Sequence, residues 1–311
     1  MDLGLVIVSY NTRQLTAACL ESVYGALSTS DLQASIVVVD NASSDGSAAM
    51  IRRRFTQATL IDSEENLGFA RATNLGIDEM ATSPTSPRYI LLLNPDTIVP
   101  QGALPLMVSY LDRHPQVGVV GPQLSYADGS FQHGAFHFPT LWMAFFDFWT
   151  VHHRLADSRL NGRYPRRLYA SGQPFPIDHP LGAALMIRWE TIQQVGLLDG
   201  DYFMYCEEID WCMRVKAAGW QVYCVPQAKI THLAGQSTQR FRDEMFIALW
   251  RSRYRLFEKH YGQLYQRLTR LIVRAGLRRR IRETERATRR GNLTKEEGEQ
   301  RVAAYRQVME M

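Results

Sequence analysis

Two acidic residues in this 311-residue chain stand where a buried apolar run gives out. Asp96 closes Leu91-Leu-Leu-Asn-Pro-Asp96. A carboxylate aimed from a rigid strand end into a ligand crevice can hold Mg²⁺ or Mn²⁺ against a diphosphate, and such ions keep several waters and need few protein ligands. The plainer role for Asp96 is to open the turn Asn94-Pro-Asp-Thr97. Asp40 ends Val37-Val-Val-Asp40 in the same way. It can accept the imide hydrogen of a uracil or thymine ring, or serve the turn from Ser43 to Gly46 through local side-chain to backbone bonds. Asn66-Leu-Gly-Phe-Ala-Arg-Ala-Thr-Asn74 adds a glycine turn at Gly68 that enters a helix, with Arg71 in its first turns as a partner for a diphosphate. The densest group is Phe203-Met-Tyr-Cys-Glu-Glu-Ile-Asp-Trp-Cys-Met-Arg214. In a helix from Glu208 to Ala218, Asp210 and Arg214 lie one turn apart and can pair, while Glu207 and Glu208 occupy the N-terminal end. The helix dipole favours ionised carboxylate there, which makes a glutamate a proton acceptor at neutral pH. His232 follows a strand-like stretch from Val225, and a neutral imidazole can complete a metal site with Asp96.

The elements that must position these residues alternate as a parallel α/β sheet does. Leu5 to Ser9 is a short continuous apolar run suited to a strand buried on both faces, and Thr12 to Leu27 has helical spacing through Leu15, Cys19, Leu20 and Val23. Strands are expected at Ile36 to Val39, Thr59 to Asp62 and Tyr89 to Leu93, with helices at Ser47 to Arg54 and Ala70 to Met80. Right-handed βαβ units place ligands beyond the carboxyl ends of the strands, which is where Asp40, Asn66 and Asp96 fall. No repeat or linker divides this region, and Pro84 and Pro87 mark a loop. From about Arg240 the pattern becomes helical and arginine-rich, so the expected organisation is one catalytic domain over residues 1–240 and an amphipathic helical extension over 241–311.

Composition narrows the function classes. A hydrophobic content of 46% suits a globular core, and a formal charge of +4 is too small and too mixed to indicate nucleic-acid binding. Cys19, Cys206, Cys212 and Cys224 lack metal-finger or disulfide-framework spacing and read as buried thiols in a reducing compartment. Met1 runs into Leu5 to Val8 without a basic leader or cleavage site, and no window reaches the length of a spanning helix, so a cytoplasmic protein is expected. From Arg267 to Arg290 there are ten arginines against Glu283 and Glu285, with Leu268, Leu271, Ile272 and Leu277 as an apolar face. This basic amphipathic helix implies peripheral contact with the inner face of the plasma membrane, or else a solvated face packed on the domain or in an oligomer. The aromatic stretch Phe136 to Trp149 is either a second contact, a lining for an acceptor, or core.

Taken in order, Ile7-Val-Ser-Tyr-Asn11, Val39-Asp-Asn-Ala-Ser-Ser-Asp-Gly46, Asn66-Leu-Gly-Phe69, Leu93-Asn-Pro-Asp96, Leu198-Asp199, Glu207-Glu-Ile-Asp210 and His232 resemble the family 2 glycosyltransferases of the GT-A fold, and among them the bacterial rhamnosyltransferase-like branch. The likeness spans about Leu3 to Ser237. It implies a nucleotide-diphospho-sugar transferase fold: a mostly parallel sheet flanked by helices, here with a C-terminal helical extension. It further implies an inverting transfer of a sugar, rhamnose or another hexose, from a nucleotide-diphosphate donor to a glycan or lipid-linked glycan acceptor in cell-surface polysaccharide synthesis. The donor nucleotide would be held by Ser9, Asn11, Asp40, Asn66, Gly68, Arg71 and Asn94, and a divalent metal by Asp96 and His232. The catalytic base is implied among Glu208, Glu207 and Asp210; the family usually reads Glu-Asp where this chain has Glu207-Glu208. Asn94 likewise replaces the first aspartate of the family's metal motif. A galactofuranosyl-type transferase and a sugar-nucleotide sensor or scaffold with weak turnover are the alternatives. A nucleotidyltransferase is disfavoured, because Ser9-Tyr-Asn-Thr12 is not the Gly-rich loop that a triphosphate needs.

Overall fold

The computed structural model describes residues 1–82, 86–149, 152–233 and 242–311. Pro84, Ser237 and the expected domain boundary at 240/241 lie outside the described residues. In chain order the strands are β1 (Leu3–Ser9), β2 (Ala34–Asp40), β3 (Thr59–Asp62), β4 (Tyr89–Leu93), β5 (Thr97–Ile98), β6 (Val117–Ser125), β7 (Phe131–Gln132), β8 (Ala135–Phe136), β9 (Phe175–Pro176), β10 (His179–Pro180), β11 (Ala184–Arg188) and β12 (Gln221–His232). The helices are α1 (Arg13–Leu27), α2 (Ser47–Arg54), α3 (Phe69–Thr82), α4 (Ala103–Arg113), α5 (Leu141–Phe146), α6 (His153–Ala156), α7 (Arg166–Ala170), α8 (Trp189–Val195), α9 (Glu207–Ala217), α10 (Arg242–His260), α11 (Gln263–Arg289) and α12 (Lys295–Glu310). The chain forms two compact units: Met1–His137 with Tyr164–Phe203 and Glu207–Ser237, and Phe138–Arg163 with Met204–Cys206 and Thr238–Met311.

The first unit is an α/β sheet in the order β3-β2-β1-β4-β11-β6-β12-β5, with β7 added to β6 and β9 to β12. The strands β3, β2, β1 and β4 pair in parallel, as the alternating pattern requires. All of β1 and β4 is buried, which explains their unbroken apolar runs: helices cover both faces. Leu3, Leu5 and Ile7 pack with Leu20 and Val23 of α1, and α3 lies on the other face. Gly76 lets α3 approach that face, since a Cβ there would come to 2.4 Å from Val6. Beyond β4 the sheet departs from simple parallel order, because β11 is inserted antiparallel between β4 and β6. Tertiary pairing decides this placement; the short run Ala184–Arg188 carries no local sign of it.

In the second unit, α10, α11 and α12 pack with the aromatic stretch around α5. Phe148 is buried between Trp250, whose ring stacks at 5.4 Å, and the Arg280 guanidinium at 5.0 Å. Gly276 makes room for it: a Cβ would lie 2.1 Å from the Phe148 ring. Core packing therefore accounts for Phe148, whereas Trp142 in the same stretch is 57% exposed. α12 begins with a capping box in which Thr294 and Glu297 satisfy each other's backbone amides.

Candidate functional site

Every residue that the sequence nominates for donor, metal or base lies in the first unit. At the carboxyl ends of β1 and β2, two loops are stitched together. Asn11 takes a positive φ of 52° and accepts a hydrogen bond from the Ser44 amide at 2.8 Å, while its own amide donates to Ser43 Oγ at 2.9 Å. Ser9 is fully buried, with its hydroxyl 3.0 Å from Thr16 and 3.3 Å from Thr12, so it props the strand end from within. Asp40 is also fully buried and splits its duties. Oδ1 accepts from the Ser43 amide at 2.9 Å, which is the turn role, while Oδ2 is enclosed without a partner. Burial raises its carboxyl above the ordinary value.

The next loop hangs on Asn41. Its side chain donates to Asn66 Oδ1 at 2.9 Å and to the Gly68 carbonyl at 3.3 Å, and accepts from the Leu67 amide at 2.9 Å. Asn66 is thus committed to shaping the turn, as it also accepts from the Gly68 amide at 3.0 Å. Gly68 has φ +79°, and a Cβ there would sit 2.4 Å from the Phe203 carbonyl, so only glycine fits. Arg71 donates to the Gly200 carbonyl at 2.9 Å and lies 3.9 Å from Asp201, with its side chain 60% exposed.

Asp96 and His232 do come together: Nε2 is 3.4 Å from Oδ1, and both side chains are almost buried. β12 ends at His232 opposite Thr97 of β5, which brings the imidazole beside the residue before Thr97. On its other nitrogen, Nδ1 lies 3.1 Å from Gln132 on β7, a contact that orients the ring. Asn94 sits just before this turn, its amide donating to the Ala183 carbonyl at 2.9 Å and its carbonyl accepting from the Thr97 hydroxyl at 2.8 Å. Among the described residues no group of three or more His, Cys, Asp and Glu side chains is arranged to hold a metal. One carboxylate and one imidazole nevertheless fit a divalent ion whose shell is completed by phosphate oxygens and water. Adjacent ligands of an octahedral ion are about 3 Å apart, close to the observed separation.

At the start of α9 the helix begins at Glu207, one residue earlier than its expected start. Asp210 is fully buried and paired with Arg214 at 2.9 Å, and the guanidinium also donates to the carbonyls of Val195 and Leu197. That arrangement anchors α9 to the end of α8. Glu207 and Glu208 differ from it: each has an enclosed Oε2 without a partner. The expectation that the helix dipole keeps them ionised is corrected here. Burial raises Glu207 well above the usual carboxylate range, with the neighbouring Glu208 adding to the shift, and pushes Glu208 up to about 7. Desolvation outweighs the helix terminus because the carboxylate tips are withdrawn from water. Tyr205 and Cys206, just before them, both hold positive φ, 70° and 67°. Among the described residues, these with Asn11 and Ala42 are the non-glycine residues of positive φ, and all four lie within two positions of a nominated residue.

Residues 5–177 match glycosyl transferase family 2. The chain belongs to that family. It is 27% identical over 282 residues to the N-acetylglucosaminyl-diphospho-decaprenol L-rhamnosyltransferase of Mycobacterium tuberculosis, covering 85% of this chain and 89% of that one. The fold is similar to a mannosyltransferase from Pyrobaculum calidifontis solved with GDP-Man and Mn²⁺, at a TM-score of 0.57 and 15% identity over 99% of this chain and 84% of the other. GalNAc-T7, solved with UDP, GalNAc and Mn²⁺, gives the same TM-score and identity over 83% of this chain, which spans about half (48%) of that protein. These likenesses establish the GT-A fold, and the chain is a glycosyltransferase.

Several residues that shape the candidate site were missed in the sequence. Asn41 and Gln132 look like ordinary loop and strand amides until the fold brings Asn66 and His232 to them. Asn74 clamps Leu198 through both its amide groups, which ties the Asn66–Asn74 stretch to Leu198-Asp199. The turn-rich segment after β2 was the available signal for Asn41; Asn74, inside α3, and Gln132, in β7, carried none.

Proposed function

We propose that the protein carries out an inverting transfer of a hexose, with rhamnose from a thymidine-diphosphate donor as the first choice, onto a hydroxyl of a lipid-linked glycan acceptor in cell-surface polysaccharide synthesis. The observation that carries the transferase reading is the Asp96–His232 pair, held by Gln132 at the carboxyl edge of the sheet. Similarity to the mycobacterial rhamnosyltransferase along most of both chains supports the choice of sugar and acceptor.

In this reading Asp40 presents its unpartnered Oδ2 to the imide N–H of the pyrimidine, while Oδ1 stays on the Ser43 amide. Asp96 and His232 would hold Mg²⁺ or Mn²⁺, which supplies positive charge against the leaving diphosphate. Glu208 takes the proton of the acceptor hydroxyl through Oε2. The freed oxygen forms a bond to the anomeric carbon as the bond to the diphosphate oxygen breaks, with inversion and no covalent enzyme intermediate. Glu207 is more strongly driven to its protonated form, which leaves Glu208 as the group that ionises near neutrality. The bond of Asp210 to Arg214 speaks against it in this role.

The test is a panel of nucleotide sugars incubated with Mn²⁺ and either a lipid-diphosphate-linked N-acetylglucosamine or no acceptor. Transfer from the thymidine-diphosphate rhamnose donor alone, dependent on acceptor, is the expected result. Consumption of a uridine-diphosphate galactofuranose or hexose in its place would reassign the donor, and donor binding without any transfer would overturn the reading.

A further inference from the structure

The arginine-rich helix α11 has two apolar faces, and only one of them is covered. Val273, Gly276 and Leu277 are buried in the second unit. Leu264, Leu268 and Leu271, spaced at one and two turns, are instead 71%, 38% and 63% exposed. Ala275 continues their line, and after it the same face carries Arg278, Arg282 and Arg286, all exposed. Ion pairs on this helix go to Arg270, with Glu258, and to Arg279, with Glu283. Arg278, Arg282 and Arg286 make none among the described residues. At the leucine end, Tyr261 and Tyr265 both donate to the Pro139 carbonyl, which fixes the start of α5 there and with it the exposed Trp142.

We infer that this face of α11 is a docking surface for an anionic lipid bilayer, with Leu264, Leu268, Leu271 and Trp142 entering the interface and the three arginines meeting lipid phosphates. The division of labour along the helix suits that boundary. Leucine and tryptophan gain from leaving water at the acyl edge, whereas long guanidinium side chains reach back to the headgroups. Charge selects this occupant over the others. A second copy packed symmetrically on the face would set arginine against arginine, and a nucleic acid would match the arginines while leaving the leucines on phosphate and water. Among the described residues no helix is long and apolar enough to cross a membrane, so the contact is an in-plane one. The inference stands apart from the choice of sugar and acceptor, because binding is read without turnover.

Sedimentation of the full chain with vesicles of phosphatidylcholine, alone or mixed with phosphatidylglycerol, tests it at low and high salt. Each arginine at an anionic leaflet is worth about fivefold in partitioning, so the three predict about 100-fold preference for the anionic vesicles, reduced by salt. Leu264→Ser/Leu271→Ser should weaken binding about tenfold or more with unchanged circular dichroism and melting, since both side chains lie mostly in solvent. Arg278→Gln/Arg282→Gln/Arg286→Gln should abolish the preference for anionic lipid. Equal binding to both vesicle types by the wild type, or undiminished anionic binding by either folded variant, overturns the inference. So does a wild-type dimer in sedimentation equilibrium that the leucine variant dissolves.

Discussion

Asp96, beyond the end of β4, and Glu207 and Glu208, at the start of α9, lie in one unit, yet their surroundings suit opposite tasks. Asp96 has an imidazole nitrogen at 3.4 Å, and that imidazole is steadied from behind by Gln132. Glu207 and Glu208 have each other and enclosed oxygens with no donor to satisfy them. A carboxylate set beside an imidazole nitrogen offers a place for a cation, whereas a carboxyl with one oxygen withdrawn from water and left without a donor is a place for a proton. Residue type alone does not separate the two, because all of these positions are acidic.

The largest effect expected from this comparison is at Glu208. Glu208→Gln should lower transfer by about 100-fold to 10,000-fold while donor affinity, measured by calorimetry, stays near wild type. In the wild type the ionised form is the active one. With Glu208 raised from 4.5 to about 7, kcat/KM should therefore hold above that pH and fall about tenfold per unit below it. A Glu207→Gln variant with the larger loss would exchange the two assignments.

Asp96→Ala comes next, with a loss of about 100-fold or more in turnover and of the stimulation by Mn²⁺, in a protein whose melting is unaltered. Full activity with an unchanged response to chelator would remove Asp96 from the metal site. Gln132→Leu sharpens the same side of the comparison. It should raise the Mn²⁺ concentration for half-maximal activity by about 10-fold to 100-fold and leave saturated turnover closer to wild type. A change in turnover with no change in metal requirement would mean that Gln132 does not act through His232.

Asp210→Asn should have the smallest effect on chemistry. It weakens the buried bond to Arg214 that holds α9 against the carbonyls of Val195 and Leu197, at a cost of about 1.5–3 kcal/mol in stability by denaturant titration. The acid limb of the pH profile should keep its midpoint. Loss of activity in a variant of wild-type stability would instead return Asp210 to the list of bases.

Much of the positioning was legible beforehand because it is local. The runs Ile36–Val39 and Tyr89–Leu93 are unbroken because those strands are buried, and that places Asp40 at one carboxyl end and Asp96 beyond the other. The turn at Gly68 and the Asp210–Arg214 spacing were also readable, one from a glycine and the other from helical period. Partnership across the chain was not. His232 reaches Asp96 because β12 pairs with β5, and Gln132, 100 residues away, reaches His232 from a two-residue strand. The upward shift of Glu207 and Glu208 depends on which atoms exclude water from them, a surrounding that a rule for exposed helix ends leaves out. On α11, period and composition announced a basic amphipathic helix but could not divide its leucines. Leu277 is fully buried, and Leu264 and Leu271 stayed in water. Hydrophobic patterning determines which side chains can be buried; only the packed neighbours decide which are, because burial and electrostatic environment belong to the surroundings and not to the residue.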